Sequence, residues 1–235
     1  MNCKLLLPCL ASALLFGCAS NNNSSSAYPV HGVAPATAAK LDAAHSSFDA
    51  QKDPPFNVST RIAAGQLAEV QGAPESAIAQ YKEALKIDPN CSPALFRLGV
   101  LYTEQKQFTL AIDDWKKYQK VTKNSAASYS DMGYTLEMAG QNHEAEDTYK
   151  KGIAADPKCE VCRVNYGLML ARHGRVDEAI LQLQTVLTPA EMHYDIASIY
   201  ELQNRRELAK EEFRRSIDAD PAFSDAKMRL AKLDE

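Results

Sequence analysis

What this chain lacks narrows its function before any motif is considered. It has no block of Lys and Arg: 26 basic residues are interspersed among 30 acidic ones, for a formal net charge of −4. Sequence-independent nucleic-acid binding needs clustered bases to replace phosphate counterions, so it is not expected, and neither is electrostatic docking on a membrane. No apolar run approaches the roughly 20 residues that a helix needs to span a bilayer. The run from Leu5 to Phe16 is short and is interrupted by Pro8, Cys9 and Ser12. Cysteine is too sparse for a disulfide scaffold, since beyond Cys3, Cys9 and Cys18 only Cys91, Cys159 and Cys162 remain. The histidines, His31, His45, His143, His173 and His193, are dispersed. No nucleophile–His–acid set, Gly-rich phosphate loop or metal-ligand spacing occurs. An enzyme is therefore not expected, nor a cofactor, nor a metal.

What is present begins with a targeting pattern. Lys4 precedes the apolar run, as in an export signal. The run closes on Leu15-Phe16-Gly17-Cys18, which resembles the bacterial lipobox, with Phe16 departing from the usual small residue. That resemblance implies a signal peptide over 1–17 and acylation of Cys18. Several acyl chains, at about 0.8 kcal/mol per buried CH₂, would then anchor the protein stably to an envelope membrane. If the host is Gram-negative, Ala19 in place of an acidic residue implies the periplasmic face of the outer membrane. The competing expectation is ordinary signal-peptidase cleavage after Ala19. Residues 18–57 follow as a spacer, with the polar tract Asn21 to Ser26 and the prolines Pro29, Pro35, Pro54 and Pro55. A short helix over Ala36 to Ala50 is possible there.

Beyond residue 57, internal repetition dominates. Ala77, Ala111, Ala145 and Ala179 fall 34 residues apart, with Ala209 after 30. Gly99, Gly133 and Gly167 keep the same interval, and so do Tyr81, Trp115, Tyr149 and Leu183, with Phe213 after 30. Asp-Pro pairs at 88–89, 156–157 and 220–221 close three of the units. Each unit reads as two helices with apolar residues at helical spacing, parted by turn residues such as Gly72, Gly140 and Gly174. Pro ends the second helix because it lacks a donor and disfavours helix in the residue before it.

These ladders resemble the tetratricopeptide repeat (TPR) family. The resemblance implies an all-α solenoid, a right-handed superhelix of five helix-turn-helix repeats at 58–91, 92–125, 126–159, 160–189 and 190–223. A capping helix at 224–235 completes the expected domain over 58–235. Repeat one matches least well. Repeat four is four residues short, so its second helix is expected to end at Leu187, before Thr188-Pro189, with a tighter junction to the next repeat. In such arrays the first helix of each repeat lines a concave groove that binds other proteins. Carried onto this sequence, the groove positions are Phe96, Arg97, Val100 and Glu104, then Asp131, Tyr134, Glu137 and Met138. Further along they are Val164, Asn165, Leu168 and Arg172, then Tyr194, Asp195, Ser198 and Glu201. The family's carboxylate clamp needs Lys and Asn at positions that here hold Phe96 and Val100, Ser130 and Tyr134, and Val164 and Leu168, so it is absent. The remaining surface, aromatic and aliphatic with carboxylates outnumbering bases, suits an apolar segment that carries some Lys or Arg.

Cys159-Glu160-Val161-Cys162 is the one motif with chemical interest. A C-x-x-C pair at a helix N-terminus can support disulfide exchange, but the βαβ context and a second C-x-x-C are missing. The alternatives are a local disulfide or two buried thiols at a repeat joint. The resemblance thus implies a lipid-anchored, non-catalytic adaptor, in its sharper form an assembly factor for a pilus or secretion machine. A thiol redox protein using Cys159 and Cys162 is the alternative.

Overall fold

The computed structural model describes residues 57–235, so Cys18, the signal peptide and the short helix proposed at Ala36 to Ala50 lie outside the described residues. The described chain is all helical. In order come α1 (Val58–Val70), α2 (Pro74–Ile87), α3 (Ser92–Glu104), α4 (Phe108–Val121), α5 (Ala126–Met138) and α6 (Asn142–Ala155). They are followed by α7 (Glu160–Arg172), α8 (Val176–Leu183), α9 (Pro189–Leu202), α10 (Arg206–Ala219) and α11 (Ser224–Asp234). Helices α1 to α10 form five antiparallel pairs stacked side by side, and α11 packs on the last.

The sequence dictates where each helix stops. At Asp88, Asp156 and Asp220 the backbone turns extended, and the carboxylate accepts from the N–H two residues on, at 2.9, 2.9 and 2.8 Å. That Asx turn and the following Pro end α2, α6 and α10 in the same way. Between the helices of a pair, one residue must take the left-handed conformation. Gly72, Gly140 and Gly174 do so at φ +69°, +76° and +77°. Lys106 and Asn204 take that role in the other two pairs, with a modest penalty for carrying a Cβ.

Close approach within a pair follows from small residues facing large ones. A Cβ built on Gly65, Gly99, Gly133 or Gly167 would lie 2.6, 2.5, 2.8 or 2.7 Å from Tyr81, Trp115, Tyr149 or Leu183 respectively. Gly65 shares the 34-residue interval, so the first pair, weakest in its other positions, closes by the same device. Ala77, Ala111, Ala145, Ala179 and Ala209 have no exposed surface. Trp115 fills space within its own pair, against Gly99, and also reaches the next pair, where its Nε1 donates to Thr135 Oγ1 at 2.8 Å. No pair buries its apolar face alone; the buried side chains form three clusters, each of which draws on more than one pair.

One expected boundary is wrong. Helix α8 ends at Leu183, not Leu187, and spans 8 residues where α2, α4, α6 and α10 span 14. Residues 184–187 wind into tight turns, with Val186 and Leu187 both donating to the Leu183 carbonyl at 3.0 and 2.8 Å. The cause is Thr188-Pro189. Pro189 opens α9, Thr188 must stay extended as its cap, and Glu191 completes a capping box. With the helix shortened, α9 rests chiefly on α7 rather than on α8.

Candidate functional site

First helices of neighbouring pairs touch one another, α5 on α7 and α7 on α9, so they line the inner side of the stack. The sixth residue of each repeat, and of the cap, falls in one row across them: Arg97 on α3, Asp131 on α5, Asn165 on α7, Asp195 on α9 and Arg229 on α11. The two ends of that row are closed. Arg97 grips Glu69 of α1 through both Nε and Nη2, and Tyr81 donates its hydroxyl to the same carboxylate. Arg229 Nη2 lies 2.9 Å from Glu201 Oε2, near enough for charge attraction although misaligned for a hydrogen bond. A third clamp joins Arg172 to Glu137, with Nε and Nη2 donating at 2.7 and 2.8 Å. The arginines named from the sequence as groove bases, Arg97 and Arg172, are thus already neutralised by carboxylates of the array, as is Glu137.

The middle of the row differs. The carboxylates of Asp131 and Asp195 have no hydrogen-bond or ion-pair partner among the described residues, yet both side chains are half-buried. Loss of solvation pushes the Asp131 carboxyl up to about 7. Asp195 rises to about 6, through burial first and then through the negative charge of Glu191. Asn165 between them donates from Nδ2 to Ser130 Oγ at 2.9 Å, and Ser130 in turn donates to the Val161 carbonyl at 3.1 Å.

Apolar groove positions are partly consumed by packing. Phe96 stacks edge-on against Trp115, with centroids 5.5 Å apart, and lies near Tyr118. Val100, Val164 and Leu168 rest on the inter-pair core, and Tyr194 contacts Phe213 and Phe223. Tyr134 is half-buried and Met138 is 49% exposed, so α5 offers apolar surface to a ligand. Ser198 turns back to hydrogen bond the Tyr194 carbonyl at 2.9 Å, and Glu104 is exposed at the edge.

Cys159 and Cys162 are joined by a disulfide, with Cα atoms 5.3 Å apart. Cys159 is 7% exposed and Cys162 not at all, and Cys162 Sγ lies 3.2 Å from the Ala126 carbonyl as a packing contact. Sulfurs so covered are poorly placed for exchange with another thiol. Cys91, at the equivalent place before α3, is buried and free. Among the described residues no group of three or more His, Cys, Asp or Glu could hold a metal, and no helix is long and apolar enough to cross a membrane.

Sequence reasoning missed the three Glu–Arg clamps. Glu69, Glu137 and Glu201 each stand twelfth in their repeat, a signal that was available, but the arginine partner stands sixth in two clamps and thirteenth in the third.

Antiparallel helix pairs that stack by their first helices and leave an inner groove define a helical-repeat solenoid of the kind that binds other proteins. Family models described as "Tetratricopeptide repeat" match residues 37–90, 62–120 and 131–192 in one case and 190–223 in another. The chain belongs to the tetratricopeptide repeat family. It is similar to small glutamine-rich tetratricopeptide repeat-containing protein 2 of Mycosarcoma maydis, with 34% identity over 89 residues, 37% of this chain and 25% of that protein. It also resembles the probable UDP-N-acetylglucosamine–peptide N-acetylglucosaminyltransferase SPINDLY of Hordeum vulgare, with 27% identity over 53% of this chain and 14% of the relative. The chain therefore spans a quarter or less of the length of these relatives. Its fold resembles that of a tetratricopeptide repeat protein from Parabacteroides merdae, at TM-score 0.58 and 18% identity over 85% of this chain and 80% of the other. MamA of Desulfovibrio magneticus RS-1 gives 0.54 and 17% over 71% and 96%.

Proposed function

We propose that this protein is a non-catalytic adaptor that holds a segment of another protein in the groove lined by α3, α5, α7 and α9. In this reading it is exported and tethered to a bacterial envelope membrane through lipid on Cys18. An assembly factor for an envelope machine such as a pilus or secretion system is its sharper form. The observation that carries the adaptor reading is the open middle of the groove, where Tyr134 and Met138 offer apolar surface beside polar groups that the array itself leaves without partners. Tethering rests on the Leu15-Phe16-Gly17-Cys18 motif.

Crosslinking in the protein's own cells, with Cys18→Ala and Tyr134→Ala versions alongside, tests both parts. The expected result is one defined envelope complex captured by the native protein, reduced capture by Tyr134→Ala, and release of Cys18→Ala from the membrane fraction. Unaltered capture by Tyr134→Ala would remove the groove, and a Cys18→Ala protein that stays in the membrane would remove the tether.

A further inference from the structure

We infer that the groove spanned by α5, α7 and α9 takes an extended protein segment bearing two cationic side chains, one seated at Asp131 and the other at Asp195. The inference rests on the adaptor reading above and specifies the partner's chemistry.

Charge complementarity within the row carries it. Where the row has an arginine, as at Arg97 and Arg229, the array supplies the opposing carboxylate itself, from Glu69 and Glu201. Where the row has an aspartate, the array supplies nothing, although the chain has 26 basic residues. A half-buried carboxylate without a partner is unfavourable, because burial removes water and returns no counter-charge. In its charged form, such a group is stabilised when something outside the array brings a cation to it. The position is also a selective one, since an acidic segment would meet two unscreened like charges there.

A second group beneath the same stretch also lacks a partner. The Tyr149 ring is fully buried against Gly133, and its hydroxyl makes no hydrogen bond, although Asp131, Tyr134, Glu137 and Arg172 all lie within electrostatic reach. At the closed end, the equivalent Tyr81 hydroxyl is taken by Glu69.

The geometry sets the spacing. Packed helix axes lie about 8–10 Å apart, so α5 and α9, with α7 between them, stand about 16–20 Å apart. An extended chain advances about 3.3 Å per residue, which places the two cationic side chains about five or six residues apart. Asn165 sits midway along that path, and Tyr134 and Met138 form the apolar floor at its start.

Fluorescence anisotropy with the full chain tests this. The probes are labelled ten-residue peptides of fixed apolar and serine background, with two lysines placed two to nine residues apart, and a matched peptide with both lysines replaced by glutamine. The expected result is an affinity maximum at a separation of about five or six, with the glutamine peptide about tenfold to a hundredfold weaker. Asp131→Asn and Asp195→Asn should each weaken the preference for lysine and remove its dependence on spacing, while Asp218→Asn, exposed on α10, should leave both intact. Thermal melting of the same variants guards against misfolding, because Asp131→Asn should melt no lower than the native chain. Equal binding of lysine and glutamine peptides, with Tyr134→Ala weakening both, overturns the two-cation inference and leaves the groove standing. Binding of neither, with Tyr134→Ala inert in cell crosslinking, overturns both.

Discussion

Two stretches of one groove, built from the same repeat, treat charge in opposite ways. Between α1 and α3 the carboxylate of Glu69 is fully engaged, by two nitrogens of Arg97 and the hydroxyl of Tyr81. From α5 to α9 the carboxylates of Asp131 and Asp195 stand half-buried with nothing opposite them. The first arrangement cements neighbouring repeats and offers little to a ligand. The second weakens the free array and keeps its interaction energy for something that arrives. A solenoid can afford both, since each repeat touches only its neighbours and a local loss does not spread.

The largest expected effect breaks the frame beneath both stretches. Gly99→Ala would place a methyl group 2.5 Å from the Trp115 ring, and the whole indole would have to move. A loss of about 2–3 kcal/mol is expected, read as a lower urea midpoint by circular dichroism. Next, Glu69→Ala removes the acceptor of the closed stretch and strands Arg97 and Tyr81. It should cost about 2 kcal/mol, whereas a null effect would mean that the clamp is ornamental.

Asp131→Asn sharpens the comparison because its sign is reversed. A carboxyl whose folded value is raised from 3.8 to about 7 imposes no penalty below pH 4, where it is protonated folded or unfolded. Stability is lost as pH rises from about 4 to about 7 and stays lost above that. Asp131→Asn should therefore match the native chain at pH 3.5 and exceed it by about 1–2 kcal/mol at pH 8. Asp195, raised to about 6, should behave likewise over a narrower window. Native and variant melting curves that coincide at pH 8 would show that Asp131 is solvated after all. The smallest effect separates two tyrosines. Tyr81→Phe should lose about 1 kcal/mol with its hydrogen bond, while Tyr149→Phe, losing a hydroxyl that bonds to nothing, should be neutral or slightly stabilising.

Much of the frame was legible because a repeat states its packing rule several times over. The Gly ladder against Tyr81, Trp115, Tyr149 and Leu183, and the Asp-Pro stops, are local patterns, and the helices follow them. Gly65 stands on the same ladder and went unnoticed because its neighbours Ala64 and Ala68 are smaller than the pattern favours. The end of α8 was misjudged by four residues because two helix signals compete there. Taking one turn off the repeat leaves the helix running to Leu187, but Thr188 and Pro189 belong to the next helix and pull the preceding residues out of register.

By itself, then, the sequence determined the class of fold, the inter-helix turns and the face that each helix buries. All of these depend on residues within about one repeat of each other. Which polar groups on the inner face would cancel was decided only by the tertiary structure. Glu69 meets Arg97 across 28 positions and Glu137 meets Arg172 across 35, whereas Asp131 and Asp195 meet no partner. A carboxylate in a sequence carries the same charge in every case. Whether that charge is spent inside the molecule or left open to a partner depends on what the next helix places within about 3 Å of it.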